Sequence, residues 1–160
     1  MTLNLNGQTI NNTTNIWNDA TNAWSLISVR ENGDLTIEGD GTLKAKEGDC
    51  YAVDLQNVST HCTINGGTFV GNISAVYVLQ GNLTVNAGNF SIQQLPTDVN
   101  DERRTLNCYN AYCTDGTARI TVTGGTFNKF DPANGDDNVP GTFVASGYES
   151  IANADGTYTV

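Results

Sequence analysis

The sequence predicts an all-β chain: a right-handed parallel β-helix of four to five coils, closed by a C-terminal β-hairpin. Three observations carry that prediction. A short strand–bend–strand string recurs along the chain, its copies share one internal spacing, and the distances between copies differ only through polar insertions. The clearest copy is Ile120–Phe127, Ile-Thr-Val-Thr-Gly-Gly-Thr-Phe. Related strings begin at Leu3 (Leu-Asn-Leu-Asn-Gly-Gln-Thr-Ile), at Leu35 (one residue longer, ending at Leu43), at Cys62 (Cys-Thr-Ile-Asn-Gly-Gly-Thr-Phe) and at Leu83 (Leu-Thr-Val-Asn-Ala-Gly-Asn-Phe). Apolar and polar residues alternate, a small residue and a turn residue follow, and a large apolar residue closes the unit. One such unit cannot bury its apolar face alone, so self-similarity of this kind implies stacking.

The units start at 3, 35, 62, 83 and 120, so the gaps are 32, 27, 21 and 37 residues. A fixed rung with variable loops is the pattern of a solenoid. Between the units lie second apolar segments: Ser25–Val29, Tyr51–Leu55, Ala75–Leu79 and Thr105–Tyr109. The shortest coil, Cys62 to Asn82, has room for three short strands, at Cys62–Ile64, Thr68–Val70 and Val76–Leu79. Parallel crossovers are right-handed by default. An antiparallel sandwich is the competing all-β reading. It ranks lower because the copies repeat in the same order with the same internal spacing.

Residues 11–24 break the pattern. Ile16, Ala20, Ala23 and Trp24 fall near helical spacing and Asn15 is a candidate N-cap, so a loop or short helix across the end or flank of the stack is expected. Residues 91–104 and 128–141 are polar insertions. The chain divides into coils over 1–127 and an acidic loop with a capping segment over 128–160. In the second part, Ala154-Asp155-Gly156 between two apolar runs reads as a hairpin turn. A terminal hairpin protects a parallel edge from unwanted pairing.

Composition narrows the function classes. The 160 residues form one domain with enough length for a continuous core. A net charge of -10, from 17 acidic and 7 basic residues, disfavours nucleic-acid partners and anionic membrane surfaces. Asn and Thr, at 21 each, suit tight bends and exposed strand faces. No apolar run approaches the roughly 18 residues of a membrane span. No secretory signal precedes the first unit, which is expected of a chain cut from a longer one or assembled into a virion in the host cytoplasm.

The repeated strings resemble right-handed β-helix proteins of the pectate-lyase-like superfamily. The ending, Gly-Gly-Thr-Phe-Asn-Lys-Phe-Asp-Pro, then Thr-Phe-Val-Ala-Ser-Gly-Tyr, then Gly-Thr-Tyr-Thr-Val, is similar to the C-terminal modules of bacteriophage fibre and head or tail appendage proteins, and of surface proteins of gut bacteria. The resemblance implies a virion or cell-surface structural protein. It implies a homotrimer among other virion proteins, with contact to host-surface polysaccharide. Enzymes of that fold use catalytic carboxylates, and no such motif can be matched here residue by residue.

For glycan contact the candidates are Trp17, Trp24, Tyr109 and Tyr112 as stacking platforms, with Asp101, Arg103 and Arg104 orienting polar groups. The plainer reading of Trp17 and Trp24 is a cover over apolar core. Asp98, Asp101 and Glu102 beside Arg103 and Arg104 could bind an acidic sugar or take a proton from it; a self-compensated solvated loop is the plainer reading. Asp49 and Asp54 flank one strand segment and could supply a carboxylate pair. Asp131, Asn134, Asp136, Asp137 and Asn138 are hard oxygen donors suited to calcium, but their spacing matches neither the EF-hand loop nor the Gly-rich nonapeptide repeat, and an acidic surface turn is the plainer reading. The single histidine, His61, reads as a turn residue ahead of a strand. Cys62 falls in the slot of Leu3, Leu35, Leu83 and Ile120, and Cys108 in that of Val29, Leu55 and Val78, so both read as thiols in core ladders. No cofactor and no metal site is expected. The leading expectation is a structural and adhesive virion module. A polysaccharide lyase or glycoside hydrolase, and a bacterial surface adhesin domain, are the alternatives.

Overall fold

The computed structural model describes residues 1–46, 48–98, 101–135 and 141–160. The chain is all-β. Its strands are β1 (Thr2–Asn4), β2 (Thr9–Asn11), β3 (Ser25–Val29), β4 (Asp34–Glu38), β5 (Thr42–Lys44), β6 (Tyr51–Gly71), β7 (Ser74–Ile92), β8 (Leu106–Cys108), β9 (Ala118–Val122), β10 (Thr126–Asn128), β11 (Ile151–Ala152) and β12 (Thr157–Thr159). One short helix, α1 (Asn110–Thr114), follows β8.

Every pairing among β1 to β10 is parallel, which removes the antiparallel sandwich. The pairings form three ladders. The first runs through β3, the start of β6, the start of β7, and β8. The second runs through β1, β4, the middle of β6, the middle of β7, and β9. The third runs through β2, β5, the ends of β6 and β7, and β10. The chain visits first, second and third ladder in that cyclic order. β6 and β7 each cross all three, and the corners are marked by register shifts after Leu55 and Gln56 and after Ile64 and Asn65. Bends that the sequence suggests as turns are therefore bulges inside long strands, which turn the chain without ending its hydrogen bonding.

In-register stacking puts like residues over like. Leu35, Cys62, Leu83 and Ile120 align in the second ladder, and Val29, Leu55, Val78 and Cys108 align in the first. Leu3 departs from its expected slot: it lies opposite Ile37, two residues on from Leu35. This shift lets Leu5 reach the interior, where it is buried beneath the first bend. In the third ladder Ile10, Leu43, Phe69, Phe90 and Phe127 align. Phe69 stacks on Phe90 at 5.0 Å and Phe90 on Phe127 at 5.1 Å, with rings within 9° and 11° of parallel. The centroid spacing is close to the strand spacing of about 4.8 Å, so the backbone ladder itself sets the rings in stacking contact.

The bend before each phenylalanine uses the second small residue of the repeat. Gly67, Gly88 and Gly125 have φ of +99°, +126° and +121°, which a side chain would strain. Side chains also bridge rungs at this corner: Asn86 Nδ2 donates to Asn65 Oδ1 at 2.8 Å, and Thr123 Oγ1 donates to Asn86 Oδ1 at 2.7 Å.

Residues 11–24 take the loop form of the two that were expected. They carry a single 3₁₀ turn at Asp19–Thr21, capped by Asn18 rather than Asn15. The Asn15 side chain instead accepts from the Trp17 amide at 3.1 Å, closing a local turn that competes with helix. His61 is also not in a turn; it lies in β6, opposite Asp34 and Asn82. At the other end the hairpin forms as expected. β12 pairs antiparallel with β11, and also with β10, where Phe127 faces Tyr158. Asp155 Oδ1 accepts from the Thr157 amide and hydroxyl across the turn.

Phe90 is the middle ring of its stack and is 2 % exposed. Phe90→Ala is expected to lower unfolding stability by about 3–5 kcal/mol, more than Phe→Leu at the same position, as read from urea denaturation.

Candidate functional site

Two polar surfaces of the first ladder hold the candidate residues. The outward row of this ladder is Ser28, Asp54, Tyr77 and Asn107. Over it lies the 11–24 loop. Trp17 and Trp24 approach each other at 5.9 Å; Trp17 meets Tyr51 edge-on at 5.4 Å, Trp24 meets Tyr77 edge-on at 6.2 Å, and Tyr51 stacks on Tyr77 at 4.8 Å. The four rings close on themselves. The tryptophans thus pack against two tyrosines at the ladder's outer side and stay partly exposed themselves. Burial pushes the Tyr51 and Tyr77 hydroxyls well above the usual tyrosine range, so both stay neutral donors.

Beneath this cluster Asp54 is fully buried. Its carboxylate accepts from Ser25 Oγ at 2.7 Å and from Gln56 Nε2 at 2.6 Å, and Gln56 also donates to the Asn22 carbonyl at 2.7 Å. Asp54 is therefore the anchor that ties the loop to the ladder. It does not pair with Asp49, whose Oδ1 accepts from Gln94 Nε2 at 3.1 Å. Burial raises the Asp54 carboxyl above the usual carboxylate range, against the opposing pull of its hydrogen bonds.

Beside the aromatic cluster opens a cleft of about 460 Å³. Tyr51, Ile73, Tyr77, Asp101–Arg104 and Asn107 to Asn110 line it. Tyr109, which lines the cleft, is 44 % exposed. The charged wall is internally braced. Arg103 Nε donates to Asp101 Oδ1 at 2.8 Å and to Oδ2 at 3.0 Å, and the Arg103 Nη2 group closes the ion pair. Arg103 Nη1 donates to Gln94 Oε1 at 3.3 Å, and Gln94 Nε2 donates to the buried Asn72 side chain at 2.5 Å. Arg104 Nη1 donates to the carbonyls of Asp101 and of Arg103. Bonds from Arg103 and from the Thr97 and Arg103 amides hold the Asp101 carboxyl far below the usual range.

Four candidates, Asp101, Arg103, Arg104 and Tyr109, thus share one cleft. Trp17 and Trp24 are not among the lining residues of that cleft and pack on Tyr51 and Tyr77. Tyr112 pairs with Tyr109 at 5.3 Å but turns toward the core from α1. Tyr51, Tyr77 and Asn107 are cleft residues that sequence reasoning passed over. Their outward or corner positions in rungs built from Tyr51–Leu55, Ala75–Leu79 and Thr105–Tyr109 were the available signal.

Elsewhere, Asp131 accepts from the Ala133 amide and the Asn134 side chain as a local cap; Asp136, Asp137 and Asn138 lie outside the described residues. Among the described residues no group of three or more His, Cys, Asp or Glu side chains converges as a metal site. No helix among them is long and apolar enough to cross a membrane. Cys50, Cys62 and Cys108 are buried thiols, and burial pushes the Cys62 thiol up to about 12.

No protein-family description matches the chain, and neither curated proteins nor solved structures give a match to it.

Asp54 makes stability depend on pH. Its folded carboxyl binds a proton more readily than the unfolded one, so its contribution is full below the ordinary carboxylate range and is lost as pH rises through its raised value. The wild type is expected to gain stability between about pH 7 and about pH 4, and Asp54→Asn to flatten that gain, as measured by urea midpoints at the two pH values.

Proposed function

We propose that the chain is a right-handed parallel β-helix serving as a stiff adhesive module, a structural part of a virion appendage that contacts host-surface glycan through the cleft of the first ladder. The β-helix reading is supported by the cyclic order of the three ladders, and the hand by the general preference of parallel crossovers. The observation that carries the glycan reading is the cleft itself. A concave site with an exposed Tyr109 ring, neutral tyrosine hydroxyls and a braced polar wall combines a stacking platform with fixed hydrogen-bonding groups. Such a combination suits pyranose rings, which present an apolar face and a polar rim.

An enzymatic lyase or hydrolase needs carboxylates that can exchange protons near the substrate. Asp101 is committed to its ion pair and Asp54 is buried, so of these acids and Glu102 only Glu102 is open to the cleft, and a two-carboxylate mechanism has no second member there. The binding reading is therefore favoured over the catalytic one.

The test is a glycan array probed with the wild type and with Tyr109→Ala. Specific binding that falls at least about tenfold in the variant is expected, the scale of losing one stacking contact. Binding unchanged by Tyr109→Ala would move the contact surface elsewhere.

The module is also proposed to act as a homotrimer, the closed cyclic form suited to a fibre. Light scattering is expected to give a mass near three times 17.0 kDa. A monomer at all accessible concentrations would remove the trimer.

A further inference from the structure

Resting on the glycan reading of the cleft, we infer that its ligand is a neutral, hydroxyl-rich pyranose and not a uronate or sialic acid. Two arginines line the cleft, which at first sight suits an acidic sugar. Their geometry assigns them differently. Arg103 spends its guanidinium on both oxygens of Asp101 and on Gln94 Oε1. Arg104 is turned onto the carbonyls of Asp101 and Arg103. Asp49 and Asp98 also act on Arg103 beside its ion-pair partner. The cations thus brace the wall: a ligand carboxylate would have to displace a bidentate partner to take over Arg103, and would compete with two backbone carbonyls at Arg104 Nη1.

The group left facing the cleft is an acceptor. Glu102 is exposed, lines the cleft together with Tyr77, and its carboxylate receives no hydrogen bond among the described residues. A carboxylate of this kind accepts from hydroxyl pairs on a sugar, while the neutral Tyr77 hydroxyl beside it is a donor for the ring or glycosidic oxygen. A second anion brought against Glu102 meets like charge at short range. The chain as a whole, at -10, repels it from further out. Local and global electrostatics therefore select in the same direction.

The inference is tested by titrating the full chain with neutral hexose trisaccharides and with the uronate trisaccharides of matching linkage, by calorimetry at low and at moderate salt. The neutral set is expected to bind at least about tenfold more tightly, with the gap narrowing as salt screens the repulsion. Glu102→Gln, a conservative change at an exposed position, is expected to weaken neutral-sugar binding by about tenfold, since a charged acceptor becomes a neutral one. It is also expected to improve uronate binding. Uronates that bind as tightly as their neutral counterparts, or a Glu102→Gln variant that leaves both affinities unchanged, would overturn the inference while the cleft remained a glycan site. If neither set bound at any salt concentration, the glycan reading itself would fall, and the selectivity inferred from it as well.

Discussion

Parallel pairing in strict register is the constraint on which the rest depends. When each rung lies directly over the last, an inward residue must pack against its own equivalent above and below. Branched aliphatics satisfy this in the first two ladders, and flat rings satisfy it in the third. Phe69, Phe90 and Phe127 sit at 5.0 and 5.1 Å because the hydrogen-bonded backbone is already at nearly that pitch. The corner side chains obey the same rule, with Asn65, Asn86 and Thr123 bonded from rung to rung. The outward positions are released from it, and that is where the charged residues and the cluster of Trp17, Trp24 and Tyr77 collect.

Much of the core was legible because this constraint writes itself into the sequence as repetition. Cys108 could be assigned to the column of Val29, Leu55 and Val78 before any coordinate was known, since only a repeated slot explains an apolar rung ending in cysteine. The misplacement of Leu3 shows the limit. In Leu3-Asn4-Leu5 the alternation is the same whichever leucine starts the rung, and pattern alone cannot fix a two-residue slip. The choice is made by the longer first bend and by the space under it that Leu5 fills. Residues 11–24 read equally as loop or helix, and the structure decides for the loop. Asparagine side chains at 15 and 18 bond to nearby amides, and such local bonds outcompete a helix whose apolar spacing was only approximate.

The candidate site was legible in part. A run of Asp, Glu and Arg between two strands announces a polar wall, and Tyr109 beside it announces a ring. Nothing in the one-dimensional pattern says that Trp17 and Trp24 would be absorbed by Tyr51 and Tyr77. Those contacts depend on how a non-repeating loop folds back over three rungs. They depend equally on Asp54, whose buried carboxylate ties Ser25 and Gln56 together and so fixes the path of that loop. The site is thus a product of both parts of the chain: regular rungs supply Tyr51, Tyr77 and Asn107, and the irregular segment before β8 supplies Asp101–Arg104.

The strand β12 runs against β10 while every other neighbour of β10 runs with it. A parallel edge offers donors and acceptors at the spacing the next parallel rung requires, so it is a template. An antiparallel strand laid on that edge presents a different spacing and, beyond it, only the short β11. In the third ladder the stack therefore has a direction, with β10 and β12 as its stop. Simple continuation of the parallel ladder is blocked at that edge of β10.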